Sequence, residues 1–154
     1  MHSVLFVCTA NICRSPMAMG LFQGIIDAEA DDWRIDSAGT WAIEGEQAAE
    51  NTTHVLSARG INISNHFSRP VTAGMVKDYQ LILTMERGQK EAMQIEFPQE
   101  AGRVFLLSEM ISQVFNINDP MGRTLTDFEQ TAVEIEQILK QGLDRISQLS
   151  IDKV

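Results

Sequence analysis

The sequence predicts an α/β fold in three layers: a four-stranded parallel, doubly wound sheet with helices on both faces. Short runs of consecutive apolar residues recur along the chain, as is typical of strands buried on both faces of a sheet. Segments with helical spacing lie between these runs, and such alternation favours parallel strands joined by helices. The 154 residues, 44% hydrophobic and 21% charged, predict one domain over 1–154 with its own core.

The first half of the chain predicts two strand–helix pairs. The elements are a strand over 3–7, a helix from 17 to about 30, a strand over 33–37 and a helix over 46–59. Pro16 fits the first turn of the first helix, because the N–H that proline lacks has no partner there. Gly60 marks the end of the second helix, where a left-handed residue is favoured. The apolar positions of the first helix are Met17, Leu21, Ile25 and Ala28.

The second half predicts two further strands and two helices. A strand over 80–85 precedes a polar helix over 86–95, which Pro98 ends, and a strand over 103–107 follows. Residues 112–118 are connecting structure. Thr126 with Glu129 forms a capping-box pattern that opens a long amphipathic helix to about 149. Its inward face is predicted to carry Phe128, Ala132, Ile135, Leu139 and Ile146.

Charge and hydropathy exclude several classes of partner. The net charge of −9 argues against nucleic acid and against an anionic membrane surface, since both require a basic footprint. No apolar run has the length of a membrane span, and the amino terminus lacks the pattern of a signal peptide. We therefore expect a cytoplasmic protein whose thiols stay reduced. A local loop can still attract phosphate in an acidic protein.

The histidines and cysteines do not predict a metal site. His2, His54 and His66 show no ligand spacing to one another or to Cys8 and Cys13, which are the two cysteines of the chain. Two cysteines are also too few for a disulfide scaffold. We expect no metal and no cofactor.

The stretch CTANICRS, residues 8–15, predicts a phosphate-binding loop after the first strand. Ligands of such sheets bind beyond the carboxyl ends of the strands, where backbone N–H groups and a helix start can converge on an anion. Arg14 adds a planar fork that suits two phosphate oxygens. The loop residues are Thr9, Ala10, Asn11, Ile12, Cys13, Arg14 and Ser15.

Cys8 is the candidate nucleophile at the base of this loop. An electropositive loop favours the thiolate form of a cysteine, and a thiolate under a bound phosphate implies attack on phosphorus with a thiophosphoryl intermediate. A lone cysteine at a strand end is more often a small buried apolar group. The combination of Cys8 with Arg14, Ser15 and the helix-opening Pro16 favours the nucleophile.

The motif VCTANICRSP resembles the signature of the low-molecular-weight protein-tyrosine phosphatases. Further segments resemble that family along nearly the whole chain: DSAGT at 36–40, ILTM-E at 82–86 and the Asp-Pro pair at 119–120. The resemblance implies that Cys8 is the nucleophile and that Arg14 binds the phosphoryl group and stabilises its transition state. It implies that Asp119 is the general acid and then the general base, although an Asp-Pro pair alone usually marks a turn.

The resemblance also implies a supporting network, a redox pair and a substrate wall. Asn11, which tolerates a left-handed backbone, would hold the loop together with Ser15, Ser37 and His66. Cys13 matches the second loop cysteine of the family; it is either a small buried group or a thiol that traps oxidised Cys8 as a reversible disulfide. Trp41 and Met121 would flank the substrate, although many family members carry aromatic residues directly after Asp-Pro.

The expected activity is hydrolysis of phosphotyrosine in proteins and of small aryl phosphates, and a bacterial tyrosine kinase is the partner that the resemblance suggests. We expect a monomer or a weak dimer. An arsenate reductase of the same fold is the first alternative, but residues 80–95 contain none of the additional cysteines it needs. A non-enzymatic phosphate-binding module would leave Cys8 and Asp119 unexplained. A nucleotide-binding protein is disfavoured because the chain has no glycine-rich nucleotide motif.

Overall fold

A computed structural model describes residues 1–152, and within them four parallel strands form one sheet in the order β2-β1-β3-β4. The predicted three-layer α/β fold is confirmed. The strands are β1 (His2–Cys8), β2 (Trp33–Gly39), β3 (Leu81–Thr84) and β4 (Val104–Leu106).

The strand order creates a crevice at the end of β1. From β1 the chain moves to β2 on one side and then crosses to β3 on the other, so that Val4 is paired with both Ile35 and Leu81. The direction of winding therefore changes between β1 and β3. Ligands of open parallel sheets bind beyond the carboxyl ends of the strands at such a switch point. Cys8 and the residues that follow Thr84 lie at this position.

Helices cover both faces of the sheet. Val4 and Phe6 of β1 belong to one core, and Leu5 and Val7 belong to the other, because successive strand side chains point to opposite faces. The helices are α1 (Arg14–Ile25), α2 (Glu50–Ser57), α3 (Ala73–Asp78), α4 (Arg87–Glu96), α5 (Leu125–Gln141) and α6 (Leu143–Ser150). The first core includes residues of α1, α2, α5 and α6, and the second includes residues of α3 and α4.

The first helix is shorter than its sequence pattern predicts. Met17 and Leu21 are buried, but α1 ends at Ile25, and Ala28 is exposed in the 3-10 segment Asp27–Asp32. Trp33 at the start of β2 explains the early end, because its ring stacks on His2 at 4.2 Å between centroids and meets the ring of Phe22 edge-on. The chain must turn back to the sheet within a few residues after α1 to place the Trp33 ring in contact with His2 and Phe22.

The second helix is also shorter than predicted at both ends, since it ends at Ser57 rather than at residue 59, although Gly60 closes it as expected. Helix α2 begins at Glu50 rather than at residue 46, because Gln47 instead forms an antiparallel bridge with Phe67. Gly60 has φ +75°, and the N–H of Ile61 donates to the carbonyl of Leu56. This is the left-handed closure expected of a glycine after a helix.

The long carboxy-terminal helix is divided, and its predicted cap was wrong by two residues. Thr124, not Thr126, caps α5 with Asp127, since Glu129 is paired with Arg59. Gly142 separates α5 from α6, and a Cβ there would lie 2.8 Å from the Cβ of Met110, so the close approach requires glycine. The five residues predicted to face inward are all buried: Phe128, Ala132, Ile135, Leu139 and Ile146.

The remaining boundaries differ by one or two residues, and one helix was missed. The polar helix predicted over 86–95 is α4, and Pro98 opens the 3-10 segment Pro98–Arg103 after it. A further 3-10 segment, Leu107–Ile111, follows β4. Helix α3 was not predicted; it is short and capped by Thr72, whose Oγ1 accepts from the N–H of Met75 at 3.3 Å. No helix among residues 1–152 has both the length and the hydropathy to cross a membrane.

Candidate active site

The phosphate loop, residues 9–15, connects the end of β1 to the start of α1. Cys8 is the last residue of β1, and Arg14 is the first residue of α1. Asn11 has φ +59°, a left-handed conformation that asparagine tolerates better than most residues. The loop lies at the switch point between β1 and β3. Backbone N–H groups in a loop of this kind and at a helix start are suited to binding an anion.

The side chain of Asn11 is the centre of a buried hydrogen-bond network. Its Nδ2 donates to Ser15 Oγ at 2.8 Å and to Ser37 Oγ at 3.0 Å. Its Oδ1 accepts from the backbone N–H of Arg69 at 3.1 Å. His66 Nε2 donates to the carbonyl of Asn11 at 2.9 Å. The structure thus brings together the four residues that the sequence grouped as loop supports, and it adds the backbone of Arg69.

Cys8 lies within hydrogen-bond distance of Ser15. Its Sγ is 3.0 Å from Ser15 Oγ, and its side chain is buried. Because Ser15 Oγ already accepts from Asn11, its own proton is available to the sulfur. A hydroxyl that donates to a sulfur atom stabilises negative charge that develops on it during a reaction. The arrangement therefore suits a cysteine nucleophile.

Arg14 is buried, and its guanidinium group is paired with two carboxylates. Its guanidinium is 2% exposed; Nη1 donates to the carbonyl of Ile117 at 2.7 Å and lies 3.1 Å from Glu86 Oε2. Nη2 lies 3.6 Å from Asp119 Oδ2. Nε has no hydrogen-bond partner among the described residues, although it is buried. A buried donor without a partner is costly, and a bound anion would supply the acceptor.

Asp119 reaches Arg14 from a loop that is fixed to the end of β3. The N–H of Ile117 donates to the carbonyl of Met85 at 2.9 Å, and Asn116 Oδ1 accepts from the N–H of Arg87 at 2.9 Å. Asp119 Oδ1 accepts from the N–H of Met121 at 3.0 Å, while the side chain remains 49% exposed. The carboxylate can therefore meet a substrate from the solvent side.

Cys13 is a buried thiol of the phosphate loop, directly before Arg14. Its Sγ lies 4.0 Å from the sulfur of Met121, and its carbonyl accepts from Thr52 Oγ1 at 3.4 Å. Burial, together with the charges of Asp119 and Cys8, raises the pKa of Cys13 to about 12. Cys13 is therefore protonated at neutral pH, and both cysteines are free thiols in the structure.

The two residues predicted to flank the substrate lie beside the loop. The N–H of Trp41 donates to the carbonyl of Thr9 at 2.9 Å, and the Trp41 side chain is 84% exposed. Met121 is 47% exposed and touches Cys13. Ile43, two residues after Trp41, is also largely exposed, although no sequence motif singles it out. Apolar side chains thus stand on two sides of the loop.

Two polar residues at this site had no role in the sequence interpretation. Glu86 pairs with Arg14, and Gln89 Nε2 donates to Thr9 Oγ1 at 3.0 Å. The strand order could have identified them, because residues that follow β3 lie beside the end of β1 at the switch point. Within residues 1–152, no group of three His, Cys, Asp or Glu side chains is arranged to hold a metal ion.

Comparisons with known proteins agree with this geometry. The family model described as low molecular weight phosphotyrosine protein phosphatase matches residues 3–151. A probable low molecular weight protein-tyrosine-phosphatase, EpsP of Ralstonia nicotianae, is 35% identical over 147 residues, which cover 96% of this chain and 97% of that protein. A protein-arginine-phosphatase of Bacillus subtilis is 32% identical over 139 residues, which cover 90% of this chain and 92% of that protein.

A solved structure extends the similarity to the whole fold. The low molecular weight protein tyrosine phosphatase of T. tengcongensis has a TM-score of 0.90 with this chain at 33% identity, covering 94% of this chain and 99% of that one. The residues matched by the family model, 3–151, include both the phosphate loop and the Asp-Pro loop. This chain is therefore a phosphatase that belongs to the low molecular weight phosphotyrosine protein phosphatase family.

Proposed function

We propose that this phosphatase hydrolyses phosphotyrosine in proteins, and small aryl phosphates, through a thiophosphoryl intermediate on Cys8. The observation that carries the proposal is the convergence on one anion-binding turn of a buried thiol, a buried guanidinium and an accessible carboxylate. These groups belong to Cys8, Arg14 and Asp119. A nucleophile, an oxyanion-binding group and a proton donor are the parts that metal-independent phosphate ester hydrolysis requires.

In the first step the Cys8 sulfur attacks phosphorus while the bond from phosphorus to the ester oxygen breaks. The loop N–H groups and Arg14 bind the equatorial oxygens, whose charge is stabilised in the transition state. Protonated Asp119 gives its proton to the departing phenolate oxygen, so tyrosine leaves as the neutral phenol. The phosphoryl group is then bonded to sulfur.

In the second step water replaces the thiolate on phosphorus. Asp119, now a carboxylate, takes a proton from the water. The water oxygen attacks phosphorus as the sulfur–phosphorus bond breaks. The electron pair returns to Cys8, where the Ser15 hydroxyl at 3.0 Å stabilises the thiolate. Inorganic phosphate leaves, and the enzyme returns to its starting state.

The surface around the loop supports an aromatic substrate. Trp41 offers an exposed ring that suits the phenyl group of phosphotyrosine, and Met121 offers a flexible apolar contact on another side. The name of the relative EpsP, a probable protein-tyrosine-phosphatase, supports the same substrate. We propose a tyrosine kinase of the same cell as a physiological partner, and the enzyme as a monomer or weak dimer. We propose the cytoplasm, where thiols stay reduced, as the place of action.

Hydrolysis of phosphoarginine is the second candidate function. A relative with 32% identity over 90% of this chain is a protein-arginine-phosphatase, so the fold and loop alone do not separate the two substrates. The same thiolate attack can break a phosphorus–nitrogen bond. Met121 also stands after Asp-Pro where an aromatic residue could stack on a phenyl ring, so this position does not favour phosphotyrosine over phosphoarginine.

One assay separates these functions. Phosphate release is measured in EDTA from matched peptides that carry phosphotyrosine or phosphoarginine, with wild type and with Cys8→Ser. We expect kcat/KM to be higher for phosphotyrosine and turnover to vanish in Cys8→Ser. Higher kcat/KM for phosphoarginine would replace the tyrosine assignment by the second candidate. No phosphate release from either peptide would overturn both, and arsenate reduction with a thiol donor would then favour the reductase alternative.

A further inference from the structure

Gln89 joins three parts of the active site through a single buried amide. It lies in the first turn of α4 and is 5% exposed. Its Oε1 accepts from the backbone N–H groups of Met85 and Glu86, both at 2.9 Å. Its Nε2 donates to Thr9 Oγ1 at 3.0 Å and to Glu86 Oε2 at 3.2 Å. Both lone pairs of the oxygen and both N–H donors are thus used.

The donor side of this amide acts on Arg14 through Glu86. The Glu86 carboxylate is 36% exposed, so without a second partner it would be free to rotate towards water. Gln89 holds the same oxygen that lies 3.1 Å from Arg14 Nη1. A carboxylate held at two points fixes the plane of the guanidinium that it pairs with. The orientation of Arg14 therefore depends on Gln89 as well as on the carbonyl of Ile117, which accepts from Nη1.

The other donor of Gln89 reaches the first residue of the phosphate loop. Thr9 is exposed, and its hydroxyl is held by Gln89 while its carbonyl accepts from the N–H of Trp41. The network around Asn11 supports the other part of the loop and shares no residue with this one. Gln89 thus supplies a separate anchor, which ties the loop to the end of β3.

We propose that Gln89 is a positioning residue for phosphoryl transfer, which orients Arg14 through Glu86 and anchors the loop through Thr9. The inference rests on the proposed role of Arg14 in binding the phosphoryl group. The three non-bridging oxygens reach their planar, equatorial arrangement only in the transition state, so loss of this orientation lowers kcat more than it weakens substrate binding.

The substitution Gln89→Glu isolates the donor side of the amide. A glutamate oxygen still accepts from the N–H groups of Met85 and Glu86, but both Nε2 donors are lost and a negative charge faces Glu86. For an aryl phosphate we expect kcat to fall about tenfold, with KM changed by about twofold at most. Inhibition by vanadate, which mimics the transition state, weakens by about the same tenfold factor, while inhibition by phosphate changes by only about twofold.

Gln94→Glu is the matched control on the same helix. Gln94 Nε2 donates to the carbonyl of Ala101 at 3.2 Å, and no hydrogen bond joins its side chain to residues 9–15. The chemical change and the added charge are the same, but kcat and vanadate inhibition stay at wild-type values. A similar loss in both variants would assign the effect to general charge or to the stability of α4, and would overturn the proposal.

Thr9→Val tests the second donor without disturbing the buried amide. The hydroxyl is lost at an exposed position, so the fold is retained, and vanadate inhibition should weaken more than phosphate inhibition. If Gln89→Glu does not fold, this variant decides the outcome. Equal losses for vanadate and phosphate, or wild-type kcat in a folded variant, would overturn the proposal. Absence of turnover by the wild type would instead overturn the proposed function.

Discussion

Arg14 binds two carboxylates unequally, and the difference suits them to different parts in the proposed reaction. Glu86 lies 3.1 Å from Nη1 and is held by Gln89, while Asp119 lies 3.6 Å from Nη2 and is half exposed. We expect a phosphate dianion that binds the guanidinium group to compete first with the longer contact. In the proposed reaction Asp119 then turns to the leaving group, and Glu86 remains the fixed partner of Arg14.

The role of Asp119 predicts a dependence on the leaving group. In Asp119→Asn we expect kcat/KM to fall about 100-fold or more for phenyl phosphate, whose phenolate needs a proton, and much less for an activated nitrophenyl ester. The measurement is kcat/KM across a series of aryl phosphates of different leaving-group acidity. Asp127 lies in the cap of α5. The control substitution Asp127→Asn should therefore leave the dependence of kcat/KM on leaving-group acidity unchanged. Equal losses for all esters would contradict the assignment.

Cys13 is predicted to trap oxidised Cys8, and to do so faster at alkaline pH. Peroxide oxidises the Cys8 thiolate to a sulfenic acid, and the Cys13 sulfur then displaces hydroxide to form the disulfide. Because the pKa of Cys13 is raised to about 12, its thiolate fraction increases with each step in pH between 7 and 9. Mass spectrometry after peroxide treatment at pH 7 and pH 8.5 measures the disulfide.

The substitution Cys13→Ser provides the functional control for this redox pair. Without the second thiol, Cys8 proceeds to irreversible oxidation states, so reductant restores less activity than in the wild type. Recovery as complete as that of the wild type would show that Cys13 is only a small buried group. An identical disulfide yield at both pH values would contradict the effect of its raised pKa.

At the scale of single elements, hydrophobic patterns located the helices and strands, while tertiary contacts set their ends. The buried faces of α1 and α5 follow the predicted spacing, since the same residues must meet the sheet. The end of α1 depends on Trp33 and its contact with Phe22, and the start of α2 depends on the bridge between Gln47 and Phe67. Neither contact is visible in a local window of sequence.

The cap of α5 gives a stability prediction with an internal control. Thr124 Oγ1 accepts from the N–H of Asp127, and the Asp127 carboxylate accepts from the N–H of Thr124. Thr124→Ala should therefore lower the free energy of unfolding by about 0.5–2 kcal/mol. Thr126→Ala, the position that the sequence pattern favoured, is expected to cost much less because its exposed side chain caps nothing. Urea denaturation of both variants measures the difference, and a larger loss for Thr126→Ala would contradict the structure.

At the scale of the whole molecule, the order of the strands brings distant residues to one crevice. The alternation of strands and helices was enough to predict where the loop after β1 lies, while the motif from Cys8 to Ser15 carries the prediction that this loop binds phosphate. The partners of the loop were harder to predict from the residues alone. Gln89 is 80 positions from Thr9, and Arg69 is 58 positions from Asn11. Only the folded chain shows that these side chains meet.

The most direct test of the account is the identification of the phosphorylated residue during turnover. The enzyme is mixed with an aryl phosphate carrying radioactive phosphorus, quenched within milliseconds, digested and mapped by mass spectrometry. We predict a thiophosphoryl group on Cys8, formed in the wild type and absent from Cys8→Ser and from a denatured control. Label on another residue, or hydrolysis at the full wild-type rate by Cys8→Ser, would contradict the central claim that the Cys8 sulfur attacks phosphorus.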